Sequence, residues 1–499
     1  MDNNEVPLQD FDSDNENHMN DSYSGESKVK VGKDGLPLNV IQESTDNVEA
    51  PESPKKHSKR NESSDSIDSS NDQDLESNRN KDVSETNNEE ENPPLIIRQK
   101  RFATIVNLLN SQLGAGILSV PSTFVNTGIV ASIVLSLATM GISYGCMILL
   151  LILVNQTGKE GLPELTAQIL KKPGSITLSV LNVVFLITAL VAYLILGGDM
   201  ITSWFELGGV GHLVESRMRH ALMIFIYAIL FPIMLTIPRN ISFLKYFSMA
   251  TVFCIIFFLI ALAYKAGYYS HKYGGMEPTC KVWKLDFSIF SSLSIYGLSY
   301  AFPAVALPAI RLYNPNLRKR KIVTLWANVL CFVLVTVAGI TGYLCFGAST
   351  DGNILKNFDS NDILMIVCRC GFFVIVSCAY PMVSQSVMSM WGGLIFGNDN
   401  PPTLPTWKRA VVIVLNNIIP LVLAMFLPTA KPILSIGGAL GGCIVDFIFP
   451  PLMYVVYHWN EEKKFGFKYI ILYLCIAFGA VTGAIATYQA VVDAIDSLK

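Results

Sequence analysis

The sequence predicts an all-α polytopic membrane protein. It would have about eleven transmembrane helices, arranged as a five-plus-five inverted repeat with broken helices 1 and 6, behind a disordered acidic N-terminal tail. Three observations carry this reading. Long apolar runs fill residues 98–499, and 51% of the 499 residues are hydrophobic. The charge balance changes abruptly near residue 97, from 24 Asp/Glu and 9 Lys/Arg before it to 16 and 28 after it. Glycine and proline interrupt the first and sixth apolar runs near their centres.

Residues 1–97 form the first predicted domain, with a net charge of −15 and only two aromatics, Phe11 and Tyr23. Such a chain cannot bury enough apolar surface to offset its conformational entropy, so a disordered cytosolic tail is expected. "SPKK" (53–56) and "ESSDSIDSS" (62–70) are candidate targets for kinases or other cytosolic regulators, where added charge would act as a local electrostatic switch; a solvated spacer is the alternative. "ENPPLI" (91–96) fits an acidic dileucine sorting pattern, which favours a vacuolar or endolysosomal membrane over the plasma membrane. The first apolar run begins about a hundred residues in, so no secretory signal peptide is expected.

Residues 98–499 form the second domain. Crossing the hydrocarbon core takes about 20 apolar residues. Breaking the runs at Gly, Pro and charge clusters gives spans near 102–125, 128–154, 175–205, 219–238, 243–267, 286–310, 321–346, 362–393, 405–428, 432–458 and 467–495. A cytosolic N-terminus places 18 basic residues on inner loops against 9 outside, and "RKRK" (318–321) contributes most. Nine of the ten cysteines lie in or beside these spans, where Cys is a small apolar residue. No Cys/His spacing resembles a zinc site, so no metal is expected.

The first span, "NLLNSQLGAGILSVP" (107–121), is too polar at its centre for a lipid-facing helix. Gly114 and Gly116 flank Ala115, which weakens the helix and lets a ligand approach the backbone. Unwinding there frees N–H groups at the start of one half-helix, suited to a carboxylate, and carbonyls at the end of the other, suited to a cation. Close packing through small residues is the alternative use of "GAG". Asn107, Asn110, Ser111 and Gln112 favour a functional interior. The sixth span carries Gly297, Pro303 and Pro308 with Ser299 and Tyr300 between them. Two five-helix halves, each opened by a broken helix, are the pattern of an inverted-repeat transporter with its site at mid-membrane.

These residues carry a family resemblance. "NLLNSQLGAGILSVPSTFVNTG" (107–128) resembles the first helix of the amino acid/auxin permease family, within the amino acid–polyamine–organocation superfamily. "YLILGGD" (193–199), "FPAVALPAI" (302–310), "LMIVCRCGFFVIVSCAYP" (364–381) and "GALGGCIVDFIFPPLMY" (438–454) resemble its third, sixth, eighth and tenth helices. The resemblance covers about residues 100–495. It implies a secondary active transporter of amino acids, expected to be neutral ones, driven by H+ or Na+ through alternating access. Against sodium-coupled members, Asn110 and Ser377 match cation-site residues, while Ala379 lacks a hydroxyl and Phe302 replaces a histidine.

Gly114, Ala115 and Gly116 are thus expected to hold the substrate carboxylate, with Asn107, Ser299, Tyr300 and Phe302 completing the substrate pocket. Asn110, Ser377, Asp199 and Asp446 are expected to couple a cation. Arg369 could pair with either acid. No organic cofactor and no nucleic-acid partner is implied; the partners are the amino acid and the bilayer. An enzyme would need His, Asp or Glu clustered within the spans, and the six His lie in the tail, loops or span ends. The competing reading is an amino-acid sensor that signals through its tail.

Overall fold

The computed structural model describes residues 99–213, 216–239, 245–398, 400–459 and 466–498. The tail, with its kinase and dileucine stretches, lies outside the described residues. Among those described, every element is helical.

Helix α1 (Arg101–Leu113) ends at Gly114, whose backbone (φ 36, ψ −149) favours glycine because a side chain would clash there. A 3-10 turn, Ala115–Leu118, leads into α2 (Val120–Thr127), and the two halves bend by 56°. Gly128 (φ 77) makes the tight turn into α3 (Ile129–Thr157). A side chain there would also strike the Lys281 carbonyl at 2.9 Å.

The third span, expected over 175–205, is preceded by a further helical segment. α4 is helical from Leu162 to Leu207, with a break at Lys171 (φ 62, ψ −175) just before Pro173. Pro173 donates no N–H to the turn before it and its ring crowds that turn, so 162–170 forms a separate short helix that apolar length alone did not reveal. α5 (Arg217–Ala228) continues through a π-helical turn at Pro232 to Thr236, followed by α6 (Lys245–Tyr273).

The sixth span is two helices, α7 (Ile289–Ser299) and α8 (Phe302–Arg311), parted at Tyr300–Ala301. Neither Gly297 nor Pro303 is the break. Pro303 occupies the first turn of α8, where its missing N–H has no helical partner in any case. Gly297 lies inside α7 as a packing residue.

α9 (Leu317–Phe346), α10 (Ile363–Phe396) and α11 (Thr406–Phe426) follow. The tenth span is α12 (Ala430–Gly437), a π-helical stretch Gly438–Asp446, and α13 (Phe447–Tyr457). α14 (Phe467–Leu498) completes the described chain. Among the described residues, nine helical stretches are long and apolar enough to cross a membrane, or ten when the bent α1–α2 pair counts as one. The α7–α8 pair is shorter and broken.

Glycines decide how the helices meet. A Cβ on Gly438 would lie 1.8 Å from the Ser294 carbonyl, and one on Gly442 would lie 2.4 Å from Gly297. The π-helical stretch therefore rests directly on the α7 backbone. On α9, Gly339 and Gly342 receive Phe124 and Pro121 of α2. Between membrane helices, close van der Waals packing of this kind supplies much of the cohesion. At the far end of the bundle, where α2 finishes, the loop after α6 is fastened to the α2–α3 turn. Ile129 and Val130 amides donate to the carbonyls of Lys281 (3.1 Å) and Val282 (2.9 Å), and the Lys284 amide donates to Thr127 (2.9 Å).

Candidate functional site

The two breaks lie side by side. A Cβ on Gly116 would meet the Leu298 side chain at 3.5 Å, and one on Gly114 would stand 3.2 Å from the Tyr193 hydroxyl of α4. Above them, Thr123 donates to the Tyr296 hydroxyl at 2.8 Å, and Ser292 donates to the Thr123 carbonyl at 3.0 Å. These buried bonds join α2 to α7, the far halves of both broken pairs.

The carbonyls released at the second break are taken up by neighbouring helices. Ser143 of α3 donates to the Tyr300 carbonyl at 2.6 Å, and the Cys331 thiol of α9 lies 3.6 Å from the Ser299 carbonyl. Irregular backbone at membrane depth requires such partners. The Tyr300 hydroxyl bonds Ser136 at 2.8 Å, while the Ser299 hydroxyl turns back to the Ile295 carbonyl at 2.9 Å. Phe302 is fully buried at the start of α8.

The expected polar residues disperse along the bundle. Asn107 is half-buried and donates to Gln99 at 3.0 Å. It lies seven residues before Gly114, about 10 Å along the helix. Asn110 is half-buried one turn before the break. Gln112 is buried and donates to Asn328 at 3.0 Å, tying α1 to α9. The Ser377 hydroxyl pairs with Tyr227 of α5 at 3.0 Å. Asp446 is fully buried at the end of the π-helical stretch, near Cys146 of α3 and Cys443.

Asp199 is buried beside a cavity at the end of α4. Its side chain is 2% exposed and meets the Lys356 ammonium at 2.8 Å, with His220 at 3.6 Å and the Asn353 amide at 3.2 Å. Burial alone would lower the pKa of Lys356, but the Asp199 carboxylate outweighs it and holds the ammonium above its ordinary value. Arg369 pairs with neither acid. Its guanidinium donates to the carbonyls of Leu355 (3.0 Å), Phe358 (2.8 Å), Asp359 (3.3 Å) and Ser360 (3.5 Å). It thereby shapes the loop that carries Lys356. Asp199, Lys356, His220 and Arg369 line a cavity of about 500 Å³ at the far end of α4.

Sequence reasoning missed Tyr193, Ser143 and Lys356. Tyr193 was visible only as the first letter of "YLILGGD", and Lys356 only as one loop lysine among several. No sequence spacing links residues that meet from separate helices. Among the described residues, no cluster of three His, Cys, Asp or Glu side chains could hold a metal ion.

With this geometry in view, comparison with known proteins decides the family. The profile described as "Transmembrane amino acid transporter protein" matches residues 99–492. The chain belongs to the transmembrane amino acid transporter family. The chain is accordingly an amino acid transporter, not an enzyme. Sodium-coupled neutral amino acid transporter 7 of Xenopus laevis is 22% identical over 398 residues, covering 76% of this chain and 86% of that protein. Vacuolar amino acid transporter 2 of Saccharomyces cerevisiae is 23% identical over 406 residues, covering 78% and 83%. The crystal structure of MhsT in complex with L-phenylalanine superimposes with a TM-score of 0.47 at 12% identity, covering 77% of this chain and 99% of that one. That likeness is too distant to transfer any residue.

Proposed function

We propose that this multi-pass transporter family member is a secondary active transporter of neutral amino acids, working by alternating access and driven by a cation gradient. The observation that carries this is the meeting of two helix breaks, Gly114–Gly116 and Tyr300–Ala301, beside the Tyr193 hydroxyl. Backbone amides at the start of the half-helix after Gly114 would take the substrate carboxylate, with Tyr193 adding a hydroxyl donor. Phe302 would shape the side-chain pocket. Thr123–Tyr296 and Ser292–Thr123 would let the far halves of both broken pairs move as a unit.

Two features favour the proton as the driving ion. Ala379 offers no hydroxyl, and the Ser377 hydroxyl is engaged by Tyr227, so hard oxygen ligands for sodium are few on α10. Relatives include transporters named as sodium-coupled and as vacuolar, and either membrane accommodates this reading. The domain division at residue 97, the cytosolic tail, the eleven spans and the five-plus-five repeat belong to the same proposal.

The deciding experiment is uptake of labelled neutral amino acids into vesicles reconstituted with the full chain, with pH and sodium gradients imposed separately. A proton symporter concentrates substrate under the pH gradient alone. Accumulation only under the sodium gradient would transfer the coupling role to sodium. Amino acid binding without accumulation under either gradient would support the sensor instead.

A further inference from the structure

A separate cavity of about 370 Å³ opens at the far end, between the far halves of both broken pairs. Asn126 of α2, Ser288 and Ser291 at the start of α7, Lys431 of α12, Asp493 of α14 and Asp351 of the loop after α9 line it. No residue is shared with the paired breaks or with the Asp199 cavity.

Lys431 is the informative residue. Its ammonium lies within electrostatic reach of Asp493 and Asp351, yet among the described residues it forms an ion pair with neither. The two acids are held by others. Asp493 accepts from Ser291 at 3.4 Å and Gln489 at 3.1 Å, and Asp351 accepts from the Asn353 amide at 2.9 Å. The Lys431 stem is pressed against the loop backbone, where a Cβ on Gly352 would lie 2.6 Å from its own Cβ. Opposite charges thus face each other across a gap, bearing part of the desolvation cost without close contact.

The space is too large for one or two bridging waters, each of which takes about 30 Å³ in the liquid. A simple anion would meet two carboxylates, and a simple cation would meet the lysine. A ligand carrying both charges suits both sides, its carboxylate toward Lys431 and its ammonium toward Asp493 and Asp351. We propose that this cavity is a second binding site for a small zwitterion of the amino acid class. Its walls include α2 and α7, so an occupant biases the positions of the far half-helices and regulates transport from that side. A ligand shifts such an equilibrium only by its preference for one arrangement.

The test uses the full chain in proteoliposomes with Thr429→Cys at the cavity wall, labelled by a membrane-impermeant thiol reagent. All ten native cysteines are free, so wild type labelled in parallel gives the background. An equimolar mixture of the nineteen common amino acids other than cysteine, whose free thiol would consume the reagent, serves as probe. At tenfold the half-saturating concentration, labelling of Thr429→Cys slows about tenfold, because only the free fraction reacts. Acetate or methylamine alone gives no protection. Adding Lys431→Gln or Asp493→Asn abolishes protection while the protein still elutes as a single species. Adding Gly116→Val, which disables the central site, leaves protection intact, so failure of the central assignment is separately visible. No protection by the mixture, undiminished protection in Lys431→Gln and Asp493→Asn, equal protection by acetate alone, or loss of protection with Gly116→Val overturns the proposal.

Discussion

Asp199 shows what one residue can conceal. The sequence places an acid late in a span and offers it as a cation-coupling residue or a partner of Arg369. The structure sets it against Lys356 from a loop more than 150 residues away, with His220 from a third element. Removing one partner of a buried ion pair leaves the other uncompensated, at a cost of about 3–5 kcal/mol when both are fully buried. Lys356 is 36% exposed and can recover solvation, so the cost falls below that range. Asp199→Asn is expected to lower stability by about 2–3 kcal/mol, read as a fall in the thermal denaturation midpoint in detergent. The Asp199→Asn/Lys356→Gln double variant should lose less than the sum of the singles. Strict additivity would show that the contact contributes nothing. Ser299 gives the same lesson in smaller form, since its hydroxyl donates to the Ile295 carbonyl of its own helix.

At the scale of elements, the meeting of α7 with the π-helical stretch Gly438–Asp446 controls the second break. π-helical turns disrupt the regular ladder and occur often at functional sites. Here Gly438 and Gly442 allow backbone-to-backbone contact with Ser294 and Gly297. Gly442→Val would place its Cβ 2.4 Å from the Gly297 backbone, which no side-chain rotation relieves. Overpacking costs about 1–3 kcal/mol, so uptake and thermal stability should both fall. Gly141→Val, with nothing within 4 Å of its Cβ position, is the matched control and should retain both. Equal loss in the two variants would refute a role for this contact. The first break was legible from "GAG" because Gly114 needs a backbone that other residues avoid. The second was legible only in its neighbourhood, since Tyr300–Ala301 carries no helix-breaking residue and is held by α3, α9 and the π-helical stretch around it.

At the scale of the molecule, the acidic tail and the helical domain are expected to be separable. Deleting residues 1–90 should leave the initial rate of amino acid uptake within about twofold of the full chain once surface expression is matched, a difference of less than about 0.5 kcal/mol in barrier. A transport rate reduced tenfold or more would assign the tail a direct part in the cycle. The same deletion in a sensor would keep binding and abolish signalling.

Apolar run length, turn chemistry and the charge step at residue 97 determined that this chain builds a helical membrane domain with a broken first helix. Those features are local, written within about 20 consecutive residues, and they act wherever the chain folds. Tertiary structure alone decided which polar groups face one another. It placed Tyr193 at Gly114, joined Ser143 to the Tyr300 carbonyl and brought Lys356 to Asp199. It also turned Arg369 onto loop carbonyls and left Lys431 facing two acids across a gap. Each pairing is set by how glycine-lined helices pack, and that packing depends on contacts between segments far apart in sequence.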